Sequence, residues 1–180
     1  MIETAIIIYW SKTGNTKEVA AAIGKALREE DIDVDIKKVE EAGDVDYFDY
    51  ELVCLGCPSY HWSPPQEVEE FLQNKHEEFS DYIRLKAPKR PDKQALVFCT
   101  YSGPHTGKNE AIPVVKYMGQ FFEHLGFNIL DEICVLSEHH GSEKISTEGK
   151  MGDIRGMPAT EKLQEIRSRV KNKIQSVTKS

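Results

Sequence analysis

Three stretches of this chain read as strands that are apolar on both faces: Ile6 to Tyr9, Leu52 to Cys57 and Ala95 to Tyr101. Each is short, rich in β-favouring residues, and stops abruptly at a polar loop. A strand with no wet face must be covered above and below, which places it inside a parallel sheet sandwiched by helices. Two further stretches alternate instead. Ile32, Val34 and Ile36 are interleaved with Asp31, Asp33, Asp35 and Lys37, and the run Phe127 to Leu136 is broken by Asp131 and Glu132. Alternation means one solvated face, so these two belong at the sheet edges.

Helical periods fill the gaps. Val19, Ile23 and Leu27 recur within residues 16 to 30, and Val68, Phe71, Leu72 and Phe79 follow Ser63-Pro64-Pro65-Gln66. That tetrapeptide reads as a helix start: a serine cap, two prolines where N–H groups are not needed, and Gln at the capping-box position. A third helix is expected from Ile112, because Pro113 suits a first turn, and Gly126 fits its stop. Pro158 is expected to open the last helix, which carries Leu163, Ile166, Val170 and Ile174. Residues 40 to 51 read as a connection anchored by Tyr47, Phe48 and Tyr50. The element string is β-α-β-β-α-β-α-β-α. It predicts an α/β fold, a doubly wound five-stranded parallel sheet in the order 2-1-3-4-5 with right-handed crossovers. One domain is expected over residues 1–180.

In that order the winding direction switches between the first and third strands. The crevice outside their carboxyl ends is the expected ligand position. Three loops meet there. Ser11, Lys12, Thr13, Gly14, Asn15 and Thr16 follow the first strand and lead into a helix. Helix amino ends carry unpaired N–H groups and partial positive charge, which suits phosphate. The hydroxyls of Ser11, Thr13 and Thr16 and the amide of Asn15 add donors, Gly14 permits a tight turn, and Lys12 can screen a dianion. The same residues also suit an ordinary capped turn. The second loop, Pro58, Ser59, Tyr60, His61 and Trp62, offers flat rings. The third, with Tyr101, Ser102, Gly103, His105 and Gly107, offers backbone groups to the edge of a planar ligand. Trp10 reads equally as packing or contact, His105 as ligand group or structural histidine, and His139-His140 as a surface pair. No catalytic residue is assigned. Neither G-x-x-x-x-G-K-[ST] nor G-x-G-x-x-G occurs.

The net charge of −7 argues against non-specific nucleic-acid binding. No apolar run approaches the ~20 residues of a membrane span, and no signal peptide is visible. A cytoplasmic protein with no membrane association is the expectation. The four cysteines lie in apolar segments. Cys54 and Cys57 are three apart in a strand, so they point to opposite faces, and no second C-x-x-C completes a zinc site. Buried thiols are expected, and no metal. The polar stretch 137 to 156 shows no regular pattern, and an irregular segment of that length is often functional.

Ser11-Lys12-Thr13-Gly14-Asn15-Thr16 resembles the phosphate loop of flavodoxin-like proteins, written [ST]-x-T-G-x-T. Gly56-Cys57-Pro58-Ser59-Tyr60 is similar to their second loop, and Gly152 to Pro158 to a carboxyl-terminal segment of the family. The resemblance covers most of the chain. It implies non-covalent FMN held by the three loops and one- or two-electron transfer to a redox partner protein or small-molecule acceptor, as monomer or homodimer. Two departures stand out. Cys57 replaces a smaller or more flexible residue, and the third loop lacks an acidic Gly-Asp pattern. The alternative is an FMN-dependent NAD(P)H oxidoreductase acting on a quinone, flavin or similar acceptor. Response-regulator receivers share the strand order but need acidic residues where Trp10 and Ser11 stand.

Overall fold

The computed structural model describes residues 2–178. Its elements run β1 (Thr4–Tyr9), α1 (Asn15–Arg28), β2 (Asp33–Lys38), β3 (Leu52–Pro58), α2 (Gln66–Glu78), β4 (Gln94–Tyr101), α3 (Ile112–His124), β5 (Asn128–Leu136), α4 (Glu143–Glu148) and α5 (Thr160–Thr178). The strands form one sheet in the order β2-β1-β3-β4-β5, and every neighbouring pair is parallel. β1, β3 and β4 are buried almost throughout; β5 alternates in burial as an edge strand does, and β2, at the other edge, buries only Val34, with Ile36 left exposed.

Alternation along each strand divides the core in two. Ile6, Ile8, Val53, Leu55, Cys57, Val97 and Cys99 face α2 and α3; Ala5, Ile7, Cys54, Leu96 and Phe98 face α1 and α5. Cys54 and Cys57 therefore lie on opposite faces, and both thiols are free. Gly56 has a specific reason to lack a side chain. A Cβ there would land 2.0 Å from the ring of Phe98, its register partner on β4. Tyr47 is fully buried, with Phe48 and Tyr50 packed partly against the core, so the connection after β2 is anchored as expected. It contains two 3-10 turns, Val39–Glu41 and Tyr47–Asp49.

Three local expectations need correction. α2 starts at Gln66 with Pro65 as its cap residue, not at Ser63. The residue before a proline is driven out of the helical region, so Pro64 cannot be helical ahead of Pro65. Ser63 is instead bridged to Tyr60. The last helix begins at Thr160, two residues after Pro158. Residues 137 to 156 contain α4, six residues long, capped by the Ser142 hydroxyl accepting from Ile145 N–H. A helix that short shows no repeat in sequence.

Lys75 sits on the α2 stripe and is 1% exposed. Its ammonium donates to the carbonyls of Gly43 and Val45 and to Glu78, so it ties the β2–β3 connection to α2.

Candidate functional site

The first loop leaves β1 at Trp10, whose N–H still donates to Gly56 C=O. Gly14 then takes φ 108° and serves as the cap residue of α1, and no side chain caps that end. Only glycine adopts such a φ without strain. The Gly14 N–H donates to the Ser11 hydroxyl at 3.1 Å, which closes the turn. A Cβ on Gly14 would meet nothing within 4 Å, so the space above the turn is open. Lys12 and Thr13 are exposed and Ser11 is half-buried. Thr16 is buried, and its hydroxyl pairs with that of Thr100.

The second loop folds back on itself. Tyr60 N–H donates to Ser63 C=O at 2.9 Å and Ser63 N–H to Tyr60 C=O at 3.0 Å. The two residues between, His61 at φ 49° and Trp62 at φ 64°, both lie in the left-handed region. That is the type I′ geometry, usually supplied by Asn-Gly. Each non-glycine residue there costs about 1–2 kcal/mol. The turn lifts Trp62 off the surface, where it is 60% exposed, beside the 41% exposed Tyr60. Tyr60 also meets Trp10 edge to face at 5.8 Å, which brings the first and second loops together. Partial burial, then the neighbouring Glu67 and Cys57, pushes the Tyr60 phenol above its ordinary pKa. Pro58 and Ser59 are half-buried, and the Ser59 hydroxyl donates to Glu110 C=O.

The third loop is built around the Glu110 carboxylate, itself 9% exposed. It accepts from His105 N–H at 2.8 Å and Thr106 N–H at 2.6 Å, while Gly107 N–H donates to Gly103 C=O. Gly103 (φ 58°) and Gly107 (φ 70°) allow this, and a Cβ on Gly103 would lie 2.8 Å from the Gly107 backbone. The N–H groups at 105 to 107 thus point into the loop, which presents a rigid edge rather than free donors there. The His105 side chain is exposed, Ser102 half-buried, and Tyr101 only 8% exposed. Burial, with Cys134 and Cys99 nearby, raises the Tyr101 phenol.

A fourth segment joins them that sequence reading left unassigned. The residues after β5 reach both the first and the third loop. Asn15 Nδ2 donates to Glu138 C=O at 2.9 Å, and His140 Nε2 lies 3.3 Å from Asn15 Oδ1. Lys150 N–H donates to Pro104 C=O, and Met151 Sδ lies where a Cβ of Gly107 would reach. Asn15 is therefore occupied by protein rather than free, and His140, on the surface as expected, also contacts Asn15. The two contacts of Asn15 span 123 and 125 positions along the chain, and no local pattern announces them. Glu110 likewise carries no signal beyond its place after a glycine-containing loop. Among the described residues no helix is long and apolar enough to cross a membrane, and no cluster of three or more His, Cys, Asp or Glu could hold a metal ion.

Comparison with known proteins identifies the family and the fold. A family model described as a flavodoxin domain matches residues 6–135. A flavodoxin of Megasphaera elsdenii is 30% identical over 95 residues, covering 53% of this chain and 63% of that protein. The chain spans less than two thirds of the length of the curated flavodoxins it matches. A flavodoxin from the domain Archaea superposes with a TM-score of 0.66 at 18% identity, covering 97% of this chain and 99% of the other. Rubredoxin oxygen:oxidoreductase from Desulfovibrio gigas superposes with a TM-score of 0.63 at 13% identity, covering 97% of this chain and 36% of that one. At such identities the superpositions establish the fold.

Proposed function

The chain belongs to the flavodoxin domain family, and on that premise we propose that it binds FMN non-covalently at the switch point between β1 and β3 and transfers electrons. One observation carries the reading. α1 begins without a side-chain cap at Gly14, open space lies above that turn, Tyr60 meets Trp10 at the head of the same loop edge to face, and the rings of Tyr60 and Trp62 are exposed. Free N–H groups at a helix start suit a phosphate dianion, and flat exposed rings suit a planar ring system.

The bound flavin supplies one- or two-electron redox chemistry. The chain's own groups bind and orient it. The first-turn N–H groups of α1, with the hydroxyls of Ser11 and Thr13, take the phosphate, and Lys12 screens it. Tyr60 and Trp62 cover the ring and keep water from it. The third loop, held rigid by Glu110, sets the position of the ring's edge. Pro58, Ser59, His61, Tyr101, Ser102, Gly103, His105 and Gly107 complete the walls.

The reading extends to one domain over residues 1–180, located in the cytoplasm, as monomer or homodimer. It exchanges electrons with a redox partner protein or a small-molecule acceptor. The net charge of −7 favours a basic partner. A second reading, an FMN-dependent NAD(P)H oxidoreductase acting on a quinone, flavin or similar acceptor, is favoured by the segment 137–156. That segment adds a wall between the first and third loops where a substrate pocket could form.

The test is direct. The purified protein is expected to be yellow and to release FMN on denaturation; a colourless protein that rejects added FMN refutes the reading. Mixing the flavin-loaded protein with NADH or NADPH without oxygen separates carrier from enzyme. Rapid bleaching supports the oxidoreductase, and persistence of the oxidised spectrum supports the carrier.

A further inference from the structure

We propose that His140 is a positioning residue of the phosphate end of the site, acting through Asn15, and that it sets the preference of this protein for a phosphorylated flavin. The inference rests on the FMN reading above and adds to it a residue outside the three loops. Its starting point is the orientation of one amide. Glu138 C=O can only accept, so the atom of Asn15 facing it at 2.9 Å is Nδ2. The other amide atom, Oδ1, can only accept, and it faces His140 Nε2 at 3.3 Å. A hydrogen bond between these two atoms needs the His140 proton on Nε2. The clasp has a defined polarity: imidazole N–H to Asn15 oxygen, Asn15 N–H to Glu138 carbonyl.

Asn15 is the first residue of α1, next to Gly14 and one turn-closing bond from Ser11. Both polar atoms of its side chain are thus taken by the segment after β5, which ties the first turn to that segment. The imidazole that reaches Asn15 is itself exposed. The segment that delivers it is itself pinned. Glu138 N–H donates to Met157 C=O, the Glu138 carboxylate accepts from Gly156 N–H, and Ser146, buried, bonds both the N–H and the C=O of His139. Its far end is tied to the third loop through Lys150 N–H and Pro104 C=O. His140 is thus held by a braced scaffold, and preorganised groups lose little freedom when a ligand arrives.

The two flavins that separate this idea from general stability are FMN and riboflavin, which differ only in the phosphate. Apoprotein is titrated with each, following quenching of flavin fluorescence. His140→Ala is expected to weaken FMN about tenfold, in line with losing a hydrogen bond beside a charged ligand. Riboflavin affinity is expected to stay within about twofold. His140→Gln, whose amide can still donate to Asn15 Oδ1, is expected to recover most of the FMN affinity. Asn15→Ala combined with His140→Ala is expected to lose no more than the worse single variant, because the two act as one unit. Equal loss for both flavins, or no loss for either, overturns the proposal while leaving the FMN reading intact. Wild-type apoprotein that quenches neither flavin overturns the FMN reading and this proposal with it.

Discussion

Thr16 Oγ1 lies 2.9 Å from Thr100 Oγ1, and both residues are buried. Thr16 is in the first turn of α1 and Thr100 is the penultimate residue of β4, so one hydroxyl pair fastens the first loop to the strand that feeds the third. A buried hydroxyl left without a partner costs about 1–3 kcal/mol, whereas replacing both partners with apolar groups of the same shape is nearly neutral. Thr100→Val is therefore expected to lower stability by about 1–3 kcal/mol, and the Thr16→Val/Thr100→Val pair to recover most of that loss. A cycle of urea denaturation midpoints measures the coupling. Additive losses in the double variant would show that the two hydroxyls do not depend on each other.

The turn at His61-Trp62 stores strain that a better turn sequence would relieve. Both residues hold positive φ, and backbone strain of this kind gathers at ligand clamps. Installing the preferred Asn-Gly pair, by His61→Asn and Trp62→Gly together, is expected to stabilise the apoprotein by about 1–2 kcal/mol. The same change removes an exposed ring, and an aromatic stack is worth about 0.5–1.5 kcal/mol beyond burial. FMN binding is expected to weaken by roughly 2- to 12-fold on that basis. Thermal denaturation and flavin titration read the two effects separately. A stabilised variant with unchanged FMN affinity would remove Trp62 from the site.

The sheet order and most element positions were legible because they rest on local periodicity. Uninterrupted apolar runs marked β1, β3 and β4, and alternation marked β2 and β5 as edges. The order then followed from which strands tolerate water. The three loops could be placed because each begins where an apolar run stops. What failed was non-local or masked. The bond from Asn15 to Glu138 crosses 123 positions, and nothing near either residue encodes it. Lys75 falls on the same helical stripe as Phe71 and Leu72, a place its charge disfavours; the carbonyls of Gly43 and Val45 and the Glu78 carboxylate make its burial tolerable. Ser63 matched a capping pattern whose premise, a helical Pro64, the following proline forbids.

Lys12 and Thr13 are both exposed on the first loop, but they should not matter equally. If N–H and hydroxyl groups make the phosphate cradle, a carboxylate at position 13 sets like charge against the dianion. At an effective dielectric of about 20, unit charges about 4 Å apart repel by about 4 kcal/mol. An exposed lysine contributes only about 0–1 kcal/mol. Thr13→Glu is expected to weaken FMN by at least tenfold, and Lys12→Ala by less than about fivefold. The Thr13→Glu defect should shrink as salt is raised, since screening acts on exposed charge. Titrations at low and high ionic strength measure both; similar losses from the two variants would contradict a cradle of backbone and hydroxyls.

The buried thiols make stability depend on alkaline pH. Burial raises Cys54, Cys57 and Cys99 above the ordinary thiol value of 9.0, with Glu69 adding to Cys57 and the neighbouring thiols to Cys99. The native state therefore keeps these protons where the unfolded chain loses them. The stability they contribute is fully present below about pH 9 and falls as pH rises toward the folded-state values, by about 1.4 kcal/mol per pH unit for each thiol. Tyr47, buried and also raised, adds to the fall at higher pH. Urea midpoints should thus be flat from about pH 7 to 8.5 and decline steeply by about pH 10.5. Cys54→Val removes one titrating group from the α1 and α5 side of the sheet, where the thiol packs as a small hydrophobe. Its stability should fall less steeply than wild type by about 1.4 kcal/mol per pH unit. Matching slopes for variant and wild type would mean that Cys54 ionises alike in both states and is not sealed from water.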